Sequence, residues 1–415
     1  MCQTSSQQAA DPGLSREFET RLASAIGLGK PMRSASLVTA ILFVLVAAAA
    51  RAAAPPPPLA AEHLTVEPLP PRGPHWVYVF DVSFSNEIDQ RIHLFDADTH
   101  RRLGQIDMGF YPAYNLSPDG ATSVVATTYF ARGSRGARTD VVEFTDNATL
   151  AVTREIVLPN KRAMTLPTPY SVAYSPDGHL LFTSYVTPAA SFGVLDPVHG
   201  KVLGEVDTAG CVLVIPSGNY RVSSICESGR LLTVTLDGDG HETARAMSEP
   251  FFDADKDPIF VQGVATKNGQ AFVSFLGDVH EVDLSGAQPA FAPAWSLVSA
   301  AERGHWRVGG TEPATWHRGL GRLYVSMHQG GEGTHKDPGA EIWVFDTATH
   351  KRLARWPMHA PGPAEVLALH VTQDAAPVLF AATKSADVAV LDALSGKVKH
   401  VERALGQSPW MMFTP

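Results

Sequence analysis

This chain is poor in cysteine, poor in charge and almost devoid of helical periodicity. Three cysteines in 415 residues are too few for a small disulfide scaffold, and neither a CxxC redox pair nor a CxxCH haem site is present. Charged residues make up 18 % of the chain and the net charge is -9, so there is no basic stripe to neutralise a nucleic-acid backbone. HExxH, GxSxG and the dinucleotide-binding glycine fingerprint are absent, which removes the sequence signatures of three common enzyme classes. Beyond residue 60 no long stretch carries a 3.6-residue period. The main apolar run, Leu37–Ala50, has 14 residues, short of the roughly 20 that a spanning helix needs.

That run has a use. Arg33 precedes it and ARAAA follows to Ala54, which is the charged, apolar and small-residue order of a secretion signal. We read 1–54 as an N-terminal extension and signal, with Met32 a better start than Met1 and a membrane anchor as the alternative. Pro55–Pro58 opens a stiff arm over 55–75. Export of this kind predicts a periplasmic protein. Cys2 falls in the discarded segment, leaving Cys211 and Cys226, for which an oxidising compartment predicts a disulfide. Closing that 15-residue loop stabilises by about 3 kcal/mol in the chain-entropy picture. Two buried free thiols are the alternative.

With 34 glycines and 31 prolines the chain is rich in turns, and the turns recur. An apolar strand ends in NLSPDG (115–120), AYSPDG (173–178) or ATKNG (265–269), and a second strand follows. A third strand ends on an aspartate, as in RIHLFDADTH (91–100), VVEFTDNATL (141–150) and EIWVFDTATH (341–350), and a fourth runs outward. Seven such aspartates occur, Asp96, Asp146, Asp196, Asp237, Asp283, Asp346 and Asp392, at intervals of 50, 50, 41, 46, 63 and 46 residues. Four short strands per 40–50 residues predict an all-β fold, a seven-bladed β-propeller with four-stranded antiparallel blades over 76–415. SPWMMFTP (408–415) resembles a first strand and WVYVFD (76–81) a second, so the two ends are expected to pair in one blade. The long interval before Asp346 holds an insertion with one expected short helix, Leu297 to Arg303. Two separate β-domains are the alternative, but no linker interrupts the repeats.

A self-contained catalytic site is harder to find. His328 and His335 flank QGGEGT, a possible ligand loop that reads more simply as a solvated glycine-rich loop. Asp81, Asp89 and the repeated aspartates offer carboxylates, but recurrence at strand ends points to turn capping. The seven tryptophans are scattered and read as packing. On residue chemistry alone the chain is an exported propeller of unknown task.

Several strings carry the reading further. TTYFARGSRGARTDVVEFTD (127–146), GCVLVIPSGNYRVSSICESGRLLTVTL (210–236), KDPIFV (256–261), HWRVGG (305–310) and EGTHKDPGAEIWVFDTATHKRLAR (332–355) resemble the large subunits of tryptophan tryptophylquinone-dependent amine dehydrogenases. The similarity runs from about residue 76 to the end. The EGTHK loop and the surroundings of the two cysteines resemble the aromatic amine dehydrogenase branch more than the methylamine dehydrogenase branch. The resemblance implies an α2β2 heterotetramer. Its small subunit carries the quinone and the catalytic aspartate, so no catalytic residue and no metal are expected on this chain. A primary amine becomes aldehyde and ammonia, and electrons leave singly to a blue-copper protein, azurin or amicyanin. It also implies that Phe84 reaches the substrate channel, with Phe110 a second candidate, and that Cys211 and Cys226 are the family's large-subunit disulfide. The alternatives are a free-standing periplasmic scaffold propeller and a propeller hydrolase with a central metal, for which no consistent ligand set is present.

Overall fold

The structure is a computed structural model that describes residues 67–359, 362 and 364–415. The expected signal over 1–54, and the first part of the arm, 55–66, lie outside the described residues. The rest of the arm is extended and tied down: the Leu69 N–H donates to Ala148 O (2.7 Å) and the Arg72 guanidinium to Asp119 O (2.8 Å).

Short apolar runs punctuated by Gly, Asn and Asp leave the backbone little option but strands and tight turns. No helix occurs among the described residues. β1 (Trp76–Asp81), β2 (Gln90–Asp96), β3 (Arg101–Leu116), β4 (Thr122–Phe130), β5 (Arg138–Asp146) and β6 (Ala151–Leu158) form one antiparallel sheet. β3 serves two ladders. Its stretch 101–109 pairs with β2 and its stretch 110–116 with β4, around a bend where Gly109 (φ 69°) and Tyr111 (φ 42°) are left-handed. Five further antiparallel sheets of four or five strands cover 172–207, 211–247, 264–296, 306–357 and 366–402. The expected pairing of the chain ends is present: the last strand, Pro409–Phe413, lies antiparallel to β1 with Tyr78 opposite Phe413 and Phe80 opposite Met411.

Burial follows position in each sheet. β1 and Val378–Thr383 are buried at every residue, whereas β6 and Glu242–Met247 are mostly exposed. Inner strands are covered on both faces because the sheets stack on one another, and apolar clusters bridge each consecutive pair. Val124 and Ile156 share a cluster with Leu181, Val194 with Val222, and Ile215 with Phe272. Val279 meets Trp343, Val344 meets Leu391, and Phe380 and Val390 meet Val77 and Val79. The last sheet therefore packs on the first. This is propeller-like stacking of antiparallel sheets.

The repeated aspartates cap turns. Asp96, Asp146, Asp196, Asp237, Asp283, Asp346 and Asp392 each accept a backbone N–H two or three residues onward, from Asp98, Ala148, Val198, Asp239, Ser285, Thr349 and Leu394. The expected helix at Leu297 to Arg303 is not formed. Ser299 and Glu302 make half of a capping box, with Ser299 N–H and Oγ–H both donating to Glu302 Oε2 (3.0 and 2.9 Å) and the Glu302 N–H donating to Ser299 O (3.0 Å), but Gly304 and the return into Trp306–Val308 stop it after one turn. Helix-start chemistry was legible there, but the insertion leaves too little chain to propagate it.

Cys211 and Cys226 are disulfide-bonded and sit directly opposite each other on neighbouring strands. Replacing both by serine should lower the unfolding free energy by about 3 kcal/mol in urea titration; an unchanged midpoint would contradict a stabilising role. Acid should also unfold the chain. Asp283, Asp346 and Asp392 lie below the usual carboxylate range chiefly through the hydroxyls of Ser285, Thr349 and Ser395. Asp237 is lowered chiefly by the His241 N–H. At Asp196 burial pushes upward, and the backbone and side-chain bonds from His199 outweigh it. Groups depressed in the folded state stabilise it at neutral pH and lose that contribution as pH falls through their folded values. Stability should therefore decline below about pH 4. A flat denaturation midpoint between pH 7 and pH 3 would contradict this.

Candidate functional site

The β1–β2 loop carries Phe84, and several contacts fix its shape. Gln90 spans its base: its Oε1 accepts the Ser83 N–H (3.0 Å) and its Nε2 donates to Ser83 O (3.1 Å). Asp81, at the end of β1, accepts the backbone N–H groups of Gln407 (2.7 Å) and Ser408 (2.6 Å) on one oxygen, while His93 lies 3.4 Å from the other. Burial pushes the Asp81 carboxyl up, but the His93 contact and these two N–H groups outweigh it and hold it below its ordinary value. A side chain at Gly406 would run into this carboxylate, with a Cβ only 2.3 Å from Asp81 Cγ. Unlike the repeated aspartates, Asp81 joins the two ends of the chain rather than capping its own turn. Asp89 pairs with Arg91 (2.7 Å) and stands outside the repeat as well.

The result is an aromatic face. Phe84 is 56 % exposed and meets Trp410 edge to face, with ring centroids 5.6 Å apart. The Trp410 indole N–H donates to Pro167 O (3.0 Å), so the residue that supports Phe84 is anchored in turn. Phe110 lies at the β3 bend, half-buried, against Tyr111 (4.8 Å) and Phe130 (5.5 Å). The Tyr111 hydroxyl donates to Glu87 Oε1 (2.8 Å), and that bond is the main reason its pKa is raised. Phe84 and Tyr111, rather than Phe84 and Phe110, line one shallow recess, which holds only about 10 Å³. Ile88, Met164 and Leu166 are exposed beside it or on the adjoining segment.

A buried arginine supports the Phe110 side. Arg162 Nη2 donates to Phe110 O (3.0 Å) and to Thr128 Oγ1 (2.9 Å), and its backbone N–H donates to the fully buried carboxylate of Asp140 (3.1 Å). Burial lowers the Arg162 pKa to about 10, which leaves it charged at neutral pH. Arg138 completes the group with a 2.6 Å ion pair to Asp140.

Other sequence candidates fall elsewhere. Cys211 and Cys226 belong to the sheet over 211–247 and stabilise it away from this loop. His328 is buried with its Nδ1 3.0 Å from Gln329 O, whereas His335 stacks on Phe275 at 3.9 Å. The two histidines thus serve different neighbours. Among the described residues the one group of three possible metal ligands is Asp237, Asp239 and His241, on an exposed turn where Asp237 is already the cap. The sequence singles out neither Trp410 nor Arg162: Trp410 reads as packing in a strand, and only its pairing beside β1 places it under Phe84.

The description of the methylamine dehydrogenase heavy chain (MADH) matches residues 74–415. The chain belongs to that heavy-chain family. It is 28 % identical over 342 residues to the methylamine dehydrogenase heavy chain of Methylorubrum extorquens, covering 81 % of this chain and 82 % of the relative. Against the heavy chain of Paracoccus versutus it is 29 % identical over 343 residues, covering 81 % and 79 %. A solved structure of the dihydro-heme d1 dehydrogenase NirN in complex with DHE superposes with a TM-score of 0.51 at 15 % identity, over 86 % of this chain and 79 % of that one, a likeness of fold alone. In this heavy-chain family member the aromatic face is an exposed apolar patch on a well-anchored loop, the usual mark of an interaction surface. Arg162→Leu should destabilise the fold by about 3 kcal/mol, since it removes three side-chain hydrogen bonds, to Ala163 O, Phe110 O and Thr128 Oγ1, and a charge beside buried Asp140. A urea midpoint within error of the parent would show that the guanidinium does not hold this region.

Proposed function

We propose that this chain is the large subunit of a periplasmic quinone-dependent amine dehydrogenase, and that the Phe84 face seats the small, quinone-bearing subunit of an α2β2 assembly. Family membership across 74–415 supports the reading. The observation that carries it is the Phe84 recess: at about 10 Å³ it is too small to hold any amine, yet its rim is aromatic, exposed and rigidly anchored. Such a surface is half of a pocket that a second chain completes. We count β3 as two strands, which makes the fold a seven-bladed propeller with the last strand and β1 in one shared blade.

Phe84, Trp410 and Leu166 present carbon surface at this rim, against which the flat ring system of a quinone could pack. When assembled, the small subunit's tryptophan tryptophylquinone supplies the two-electron oxidation. This chain's residues do the rest of the positioning: Phe84 contacts the substrate's carbon chain, its ring and that of Trp410 exclude water, and Glu87 fixes Tyr111 at the rim. In the net reaction a primary alkylammonium and water give aldehyde, ammonium, two protons and two electrons. The electrons pass one at a time to a blue-copper protein, azurin or amicyanin. An aromatic wall at Phe84 favours arylalkyl amines over methylamine.

The complex purified from its host should contain a small subunit and a quinone absorbance band that phenylethylamine bleaches; a lone colourless chain from cells growing on amines would overturn the proposal. In that complex, Phe84→Ala should lower kcat/KM for phenylethylamine about tenfold, the worth of one good aromatic contact, and change methylamine turnover far less. Equal losses for both amines would exclude Phe84 from substrate selection.

A further inference from the structure

The innermost strands of several sheets enclose a cavity of about 330 Å³, lined by Tyr170, Glu312, Trp316, Arg318, His370 and Phe413. It is separate from the Phe84 recess and is built by this chain alone. Glu312 is its singular feature. The side chain is half-buried in the cavity wall. Its Oε2 accepts the Met412 N–H (3.0 Å), while among the described residues Oε1 has no hydrogen-bond partner and no Lys, Arg or His forms an ion pair with it. Burial pushes the carboxyl up to about 8.

A carboxylate withdrawn from water with one hydrogen bond either keeps a proton or takes a cation. The surroundings choose among cations. Glu312 is the one acidic side chain on the wall, and the polar side chains beside it, among them Asn115, Thr315 and Gln373, are neutral, so a single positive charge matches the site. Rings of Tyr170, Trp316 and Phe413 line the same space and favour a diffuse organic or ammonium charge. His370 is held uncharged by burial, its pKa lowered to about 4, with its Nε2 3.2 Å from Thr414 Oγ1, so it does not repel a cation. The Tyr170 hydroxyl, raised by burial, stays neutral beside Gln270 (2.8 Å). Arg318 is the one standing positive charge on the wall; it is exposed, so solvent weakens its field, though it still helps to keep His370 uncharged. We propose that this axial cavity binds a small ammonium ion, ammonium itself or a short primary alkylammonium, on the free oxygen of Glu312. The inference does not rest on the proposed enzymatic reading.

Titration of the purified full chain with ammonium, methylammonium or potassium chloride at constant ionic strength, followed by calorimetry, tests it. Saturable binding of the first two is expected, at least tenfold weaker in Glu312→Gln at unchanged Tm and partly retained in Glu312→Asp. Because a proton competes for the same oxygen, affinity should rise about tenfold per pH unit up to about 8 and then level. That profile is measured on the parent protein and needs no variant to fold. Absence of saturable binding at pH 8.5, potassium binding as tightly as ammonium, an isotherm indifferent to Glu312→Gln, or a flat pH profile would each overturn the proposal.

Discussion

Everything at the aromatic face depends on how the two ends of the chain are joined. The last strand pairs with β1, and Asp81 receives the two backbone N–H groups that precede that strand. One carboxylate thereby sets three things. It fixes the path of Gln407 and Ser408, the start of the loop that carries Phe84, and through the register the place of Trp410 beneath the Phe84 ring. A loop with a 56 % exposed phenylalanine would ordinarily be mobile. Here its base is closed by Gln90, and its exposed ring rests on an indole that is itself hydrogen-bonded to Pro167. Rigidity of this kind is what a surface needs if it is to shape a pocket completed by another chain.

The stacking of sheets explains where chemistry is located. Sheets that cover each other on both faces leave only their inner edges, their outer strands and the loops between strands free of packing demands. The loops supply the Phe84 face. The inner edges supply the cavity that Glu312 lines. The outer strands are polar and exposed, as in β6 and Glu242–Met247. The strand-end aspartates belong to none of these; they hold hairpins in register, which is why a carboxylate recurs so often without recurring chemistry.

The repeat was legible in the sequence because each turn needs particular residues: an aspartate to cap it and a glycine where φ is positive, as at Gly120 and Gly178. Pairing of SPWMMFTP with WVYVFD was legible for the same reason, since each end looked like a missing strand of the other. The site was less so. Resemblance pointed to Phe84 and Phe110; the recess at Phe84 is shared with Tyr111, against which Phe110 packs. Periodicity could not show that β3 bends at Gly109 and Tyr111 and turns a different ring inward. Nor could it single out Trp410, Arg162 or Glu312, whose partners named above, the adjacent Ala163 apart, lie 22 to 326 residues away in the chain. The expected helix at Leu297 to Arg303 failed for the opposite reason: local chemistry favoured it, and the geometry of the insertion did not.

The central claim is that the Phe84 face is where the small subunit sits. A photoreactive benzoylphenylalanine in place of Phe84, illuminated in the host and analysed by mass spectrometry, tests it most directly, with the same residue at exposed Val152 on β6 as the comparison. The account predicts a covalent product between position 84 and a small quinone-bearing chain and none from position 152. Cross-linking to that chain from 152 but not from 84 would contradict it.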